Sequence, residues 1–382
     1  MFVDLPYEIS EQIIIHTDSI VLMNKLYPDR IKQIYKPKIH DIKFLFKFPN
    51  ILKTLIIQNL ILDKEGAIIY AAFNNHIKMV KFLIEHGCDP RARDNQAIRE
   101  AAWQDHLKMV KFLIEHGCDP RARDSEAIVN AAENNHIEMV KFLIEQGCDQ
   151  KASDNQAILN AAELNRLEMV KFLIELGCDP SARDNQAIRE AAWHGHFEMV
   201  KFLVEQGCDP KDQNNQAIIN AAENNHIEIV KFLIEQGCDA TAQDNIAIQE
   251  AATHGYLELV KFLISQGCNP KAGNNQALIN AAKNNRLEMV KFLIELGCDP
   301  KARNNLALIL AAKNNHLEMV KFLVEQGCDT TAQDNTALIL AVKYNHLEMV
   351  KFLIEHGCDK DRAILYATQN NNPELVKFLS NL

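Results

Sequence analysis

The sequence predicts an all-α solenoid built from ten 30-residue units, and three observations carry that prediction. All ten cysteines of the 382-residue chain, at Cys88, Cys118, Cys148, Cys178, Cys208, Cys238, Cys268, Cys298, Cys328 and Cys358, stand thirty residues apart. Each closes the same stretch of text, in which apolar residues recur at helical spacing in two short blocks. A unit with two helices of about nine residues cannot bury its own apolar faces, so it has to stack on copies of itself.

The elements of one unit follow in order. A turn, Arg91-Ala92-Arg93-Asp94-Asn95, leads into a first helix in which Ile98, Ala101 and Ala102 stand at i, i+3 and i+4, with Asp94 or Asn95 read as its N-cap. Its alanines allow a neighbouring helix to approach closely. The second helix, Leu107 to Glu115, is apolar except for Lys108, Lys111 and Glu115 along one edge, which predicts burial on both flanks and one wet ridge. Asn135 with Glu138, Asn165 with Glu168, Asn225 with Glu228 and Asn315 with Glu318 have capping-box spacing. Gly117 and its equivalents are placed for a left-handed stop.

Composition bounds the class. With 24% charged and 47% hydrophobic residues, 14 Gly and 11 Pro, the chain is neither collagen-like nor a disordered tail, and no apolar run reaches membrane-span length. The net charge of −10 argues against nucleic acid as a partner for the whole surface. No secretory signal is read in the opening residues. The cysteines have no second Cys two to four residues away, so they lack structural-zinc spacing and read as small buried hydrophobes. Ten unpaired thiols fit a reducing compartment, cytoplasm or nucleus.

The block Leu-Glu-Met-Val-Lys-Phe-Leu-Ile-Glu followed by Gly-Cys-Asp, with His106, His136, His196, His226, His316 and His346 between the helices, resembles the ankyrin repeats. Cys stands where that family usually has Ala, Asn95-Gln96-Ala97-Ile98-Arg99 replaces its Thr-Pro-Leu-His segment, and the shorter unit predicts a shortened hairpin turn. The 30-residue form is similar to ankyrin arrays encoded by giant DNA viruses of amoebae, which implies a host-cell location. The resemblance implies protein–protein interaction through a concave groove lined by the first helices, and a monomer. Residues 61–360 hold the ten repeats, 41–60 read as a degenerate first repeat, and 361–382 read as a truncated C-terminal cap, because Ala363 follows Ala337 by 26 residues instead of 30.

Residues 1–40 belong to neither pattern. Leu5, Pro6, Ile9, Ile13 and Leu22 form an apolar stripe behind a helix-opening proline and resemble an F-box, which implies docking on a Skp1-like adaptor of a cullin ubiquitin ligase. The alternative is an N-terminal cap packed on the first repeat, which makes the protein a plain scaffold or decoy.

No nucleophile elbow, P-loop, dinucleotide-binding glycine pattern or His-Glu-x-x-His helix occurs, so no enzyme, no catalytic residues, no cofactor and no metal are expected. The position of His106 is Arg166, Tyr256 and Arg286 in units whose Cys persists, which speaks against His–Cys metal pairs. Comparing the units with one another separates stacking from recognition. Lys111 has an equivalent in every unit, whereas the positions of Glu100, Trp103 and Gln104 vary along one face of helix one. Candidate partner-binding residues on this face are Phe73, Glu100, Trp103, Glu190 and Trp193, joined by Leu310, Leu340, Tyr344 and Tyr366 toward the C-terminus. Drift is the competing account of that variation, since residues 165–180 and 285–300 are identical. The turn residues Arg91, Arg93, Arg121, Arg123, Arg183, Lys211, Lys271 and Lys301 read as a solvated edge or a contact for an acidic partner.

Overall fold

A computed structural model describes residues 63–382, together with Lys53, Ile56 and Ile57. The expectations for residues 1–40, and nearly all of those for 41–60, therefore lie outside the described residues. Among the described residues there are 22 helices and no strand. They fall into two compact units, the first ending at Pro180 and the second running Ser181–Leu382.

The first unit contains α1 (Lys64–Phe73), α2 (Ile77–Glu85), α3 (Ala92–Trp103), α4 (Leu107–Glu115), α5 (Ala122–Glu133), α6 (Ile137–Glu145), α7 (Ala152–Glu163) and α8 (Leu167–Glu175). The second contains α9 (Ala182–Trp193), α10 (Phe197–Glu205), α11 (Asp212–Glu223), α12 (Ile227–Glu235), α13 (Ala242–His254), α14 (Leu257–Ser265) and α15 (Ala272–Lys283). It continues through α16 (Leu287–Glu295), α17 (Ala302–Lys313), α18 (Leu317–Glu325), α19 (Ala332–Lys343), α20 (Leu347–Glu355), α21 (Lys360–Gln369) and α22 (Pro373–Ser380). Within each unit the odd-numbered helices pack side by side, and each even-numbered helix packs on the helix before it. This is the predicted all-α solenoid, with one helical pair per repeat.

The core follows the predicted stripes. Ala97, Ile98, Ala101 and Ala102 on α3 and Met109, Val110 and Leu113 on α4 are completely buried. The second helices α2 to α20 end in a Schellman motif at the Gly-Cys pair. Gly117, at φ 88°, donates its N–H to the Ile114 carbonyl at 2.9 Å, and Cys118 donates its N–H to the Leu113 carbonyl at 3.0 Å. The Cys118 Sγ then donates to the Pro90 carbonyl of the preceding repeat at 3.2 Å, and Cys148 repeats the contact on Pro120 at 3.3 Å. The conserved position thus hydrogen-bonds across the repeat boundary as well as filling space.

Two expectations about helix starts are corrected. The capping boxes do not form: Asn135, Asn165, Asn225 and Asn315 have φ of 64°, 58°, 61° and 62°, and the residue after each takes the cap position with no side-chain cap bond. Asn occupies these sites because it tolerates the left-handed region better than most residues. Nor does Asp94 or Asn95 cap its own helix. Arg93, Asp94 and Asn95 all lie in the left-handed region, at φ 50°, 58° and 60°, and kink the entry to α3. The Asn95 Oδ1 instead accepts the Asp119 N–H at the far end of its own repeat at 2.9 Å. The same bond recurs from Asn155 to Asp179 in the first unit, and from Asn215 to Asp239 and Asn305 to Asp329 in the second. A left-handed turn of this kind costs about 1–2 kcal/mol per non-Gly residue, so these recurring bonds have to offset it. It is the shortened turn the 30-residue unit demands.

The two ends of the described chain lack that turn. Asp63 caps α1 by accepting the Gly66 N–H, and Asp359 caps α21 by accepting from Asp361 and Arg362. The four residues missing before Ala363 are accounted for by this direct entry.

Candidate functional site

The side chains that vary between repeats share one face of the odd-numbered helices. In the first unit, Phe73 ends α1 and Trp103 ends α3, each 37% exposed, and Glu100 lies half-buried one turn earlier on α3. Gln96 donates to Glu100 at 2.9 Å, which fixes that carboxylate on the helix surface. In the second unit Trp193 is likewise 37% exposed, and Gln186 holds Glu190 at 3.3 Å. Leu310, Leu340 and Tyr366 are half-buried, while Tyr344 is exposed and stacks on His346 with ring centroids 6.0 Å apart. Leu365, also exposed, joins this end of the second unit and was not singled out by the sequence.

The aromatic positions are anchored from the next repeat. His106 Nε2 pairs with the Phe73 carbonyl, His136 Nε2 with the Trp103 carbonyl and His226 Nε2 with the Trp193 carbonyl, each at 3.0 Å. At Arg166, which replaces His, Nε donates to the Glu133 carbonyl at 3.2 Å. The exchange of His for Arg keeps the contact to the preceding repeat's carbonyl. Backbone anchoring leaves the side chain at the helix end free to differ from repeat to repeat.

The opposite ridge is more than a wet edge. Lys111 Nζ stands 5.0 Å from the Phe142 ring centroid of the next repeat, and Lys141, Lys231, Lys261 and Lys291 repeat that cation–π contact at 5.6, 5.6, 5.9 and 6.0 Å. Lys141 and Lys291 also pair with Glu138 and Glu288 three residues earlier. Among the turn cations, Arg91 pairs with Asp89, Arg93 with Asp63 and Arg121 with Asp119, so these three are neutralised within the chain.

Two clusters were not visible from the residues singly. Arg99 is 5% exposed, and its Nε pairs with Glu126 Oε2 of the following repeat at 3.0 Å, at the wall of a cavity of about 370 Å³. The cavity's charges balance internally, with Arg93, Arg99 and Arg123 set against Asp94, Glu100 and Glu126. In the second unit, ligand atoms of Glu223 on α11 and of Glu250 and His254 on α13 all lie within 4.8 Å of one another. Burial, then the neighbouring Glu223 carboxylate, push the Glu250 carboxyl above the usual range, against an opposing pull from His254. Reading Glu223 diagonally against the next repeat's Glu250 and His254 would have found this group in the sequence.

The ten cysteines are all buried thiols. Burial pushes the Cys118 thiol up to about 12 and the Cys178 thiol up to about 11, far from the thiolate state that nucleophilic or metal chemistry uses. No helix among the described residues is long and apolar enough to cross a membrane.

A comparison with curated proteins finds no match. A comparison with family models matches "Ankyrin repeats (3 copies)" over residues 42–124, 123–184, 188–274, 220–304, 248–334, 278–363 and 308–382. These matches run through both units. The chain belongs to the ankyrin-repeat family.

Proposed function

We propose that this protein is a non-enzymatic protein-interaction scaffold that holds a target protein on the variable face of its odd-numbered helices. One observation carries the reading: the exposed ends of helix one change from Trp to Glu, Thr and Lys between repeats whose buried residues and cross-repeat bonds stay the same. A framework so constant does not need this variety for stacking, and large exposed aromatics such as Trp103 and Trp193 are the side chains that dominate protein interfaces. Glu100, Glu190, Phe73, Leu310, Leu340, Tyr344 and Tyr366 complete the proposed surface.

The finer proposal is that Leu5, Pro6, Ile9, Ile13 and Leu22 recruit a Skp1-like adaptor, so that a bound target is brought to a ubiquitin ligase. Support for it is the sequence resemblance alone, and a plain scaffold or decoy is its rival. Affinity capture from cytosol with the full chain and with residues 1–40 deleted tests both parts. The proposal expects a common target in both captures and Skp1 only with the full chain. Skp1 absent from both leaves the plain scaffold, and no target in either contradicts the scaffold reading.

A further inference from the structure

The face that varies also carries a group of side chains that its sister repeats do not have. In α3 and α9 the carboxylates of Glu100 and Glu190 are held by Gln96 and Gln186 one turn earlier. In α11 and α15 the residue at the same position is Asn220 or Asn280, again held by a Gln, at 2.8 and 2.7 Å. In α13 the donor is replaced by Ile246, and Glu250 has no hydrogen-bond or ion-pair partner among the described residues. A second contrast concerns Glu223. Its counterpart Glu133 accepts a hydrogen bond from Asn160 of the following repeat at 3.2 Å, whereas Glu223 faces the carboxylate of Glu250.

Two half-buried carboxylates facing each other without a donor repel, and a proton or a cation between them relieves that repulsion. The third member supplies the answer. His254 stands one turn after Glu250, on the same face of α13, where the neighbouring repeats have Asn224 and Asn284. We infer that Glu223, Glu250 and His254 form a divalent-metal site that takes Zn²⁺ through two carboxylate oxygens and one imidazole nitrogen.

The geometry fits with small side-chain adjustments. Tetrahedral zinc with ligands at about 2.1 Å sets its ligand atoms roughly 3.4 Å apart, and all three sit on flexible or rotatable side chains already within 4.8 Å. Oxygen and imidazole ligands suit zinc, and three protein ligands leave one coordination position open to solvent. Zinc in this place neutralises the Glu223–Glu250 repulsion and ties α11 to α13. The inference does not depend on the scaffold reading, because it concerns a small ion and the residues of two neighbouring helices.

The test uses the full chain, stripped with chelator and dialysed, then titrated calorimetrically with Zn²⁺ and, in parallel, spectroscopically with Co²⁺. The expected result is one saturable site, weakened at least about tenfold by Glu250→Gln, by His254→Asn and by Glu223→Gln, with Glu133→Gln as an unaffected control. Ile246→Gln, which leaves the three ligands in place but offers Glu250 a donor, is expected to weaken binding as well. The exchanges at 223, 250 and 254 introduce side chains close to those of sister repeats, and circular dichroism checks that each variant is folded. Absence of saturable binding, binding unchanged in the three ligand variants, or a thiolate-to-cobalt charge-transfer band showing cysteine ligation would overturn the site.

Discussion

The even-numbered helices and the exposed face of the odd-numbered ones have evolved under different rules inside one 30-residue unit. Along α4, α6 and their equivalents, the buried positions of Met109, Val110 and Leu113 hardly change, and Lys111 has a counterpart in every repeat. Across the ends of α3, α5 and α13, the residue passes from Trp103 to Glu133 to Thr253 while the alanines beneath stay buried. The difference separates the side chains that carry stacking from those that the proposed recognition would use. In a solenoid each repeat contacts only its neighbours, so one exposed residue can change without disturbing the rest.

The comparison is broken most severely by striking the framework. Leu143→Ala removes a completely buried side chain of α6 and is expected to cost about 2–5 kcal/mol, read as a lowered unfolding midpoint. Hydrogen exchange should place the loosening in α5 to α7, since nearest-neighbour terms carry the stability. Asn215→Ala comes next. It forfeits the 2.8 Å bond to the Asp239 N–H and puts a Cβ without polar compensation at φ 63°, an expected loss of about 1–3 kcal/mol. Asn215→Gly, which keeps the backbone conformation and loses only the bond, should cost less than Asn215→Ala.

Titration sharpens the same contrast, because the shifted groups belong to the framework. Side-chain hydrogen bonds from Arg121 and Thr241, joined by their backbone N–H groups, hold Asp119 and Asp239 below the ordinary value of 3.8. Their contribution is present above that value and is lost as pH falls through the folded pKa. Burial raises Cys118, Cys238, Cys268 and Cys328 from 9.0 to about 12, so the folded state keeps protons the unfolded chain would release. That contribution is full below pH 9 and is lost as pH rises through about 12. Thermal melts across pH should therefore show a plateau with a fall at each end, and replacing several cysteines by Ala should blunt the alkaline fall.

Lys111→Ala is expected to cost only about 0.5–1 kcal/mol, the worth of an exposed cation–π contact with Phe142. The ridge read in the sequence as a wet edge therefore carries a small contribution to stacking. Cys178→Ala should be smaller still, since it gives up one weak Sγ–H bond to the Gln150 carbonyl at 3.3 Å and the family's usual residue there is Ala.

The fold was legible because each of its causes is local and repeated. The Gly-Cys stop and the apolar second helix appear in every unit, the alanine stripe in all but the one with Val342, and each does what its chemistry requires. Helix starts were misread because Asn serves two purposes: the same side chain that caps a helix also tolerates a left-handed backbone, and the sequence does not say which partner it faces. Asn95 bonds the Asp119 N–H at the far end of its own repeat, a pairing fixed only once the two helices between them fold back on each other. Arg99 was passed over for a similar reason, since its burial depends on Glu126 across the repeat boundary. The exposed aromatics of the proposed surface were legible as variable positions, while the Glu223–Glu250–His254 group became visible only when adjacent helices were placed side by side.

The central claim, that the variable face and not the ridge binds the target, is tested most directly by measuring the affinity of the captured target for Trp103→Ala, Trp193→Ala and Lys111→Ala. Truncating an interface aromatic typically costs about 2 kcal/mol or more, so each tryptophan variant should bind at least about tenfold more weakly. Their unfolding midpoints should move little, because the same position accepts Glu, Thr and Lys in other repeats. Lys111→Ala should bind like the parent. Undiminished affinity in both tryptophan variants, or a loss confined to Lys111→Ala, would contradict the account and leave drift as the explanation of the variable face.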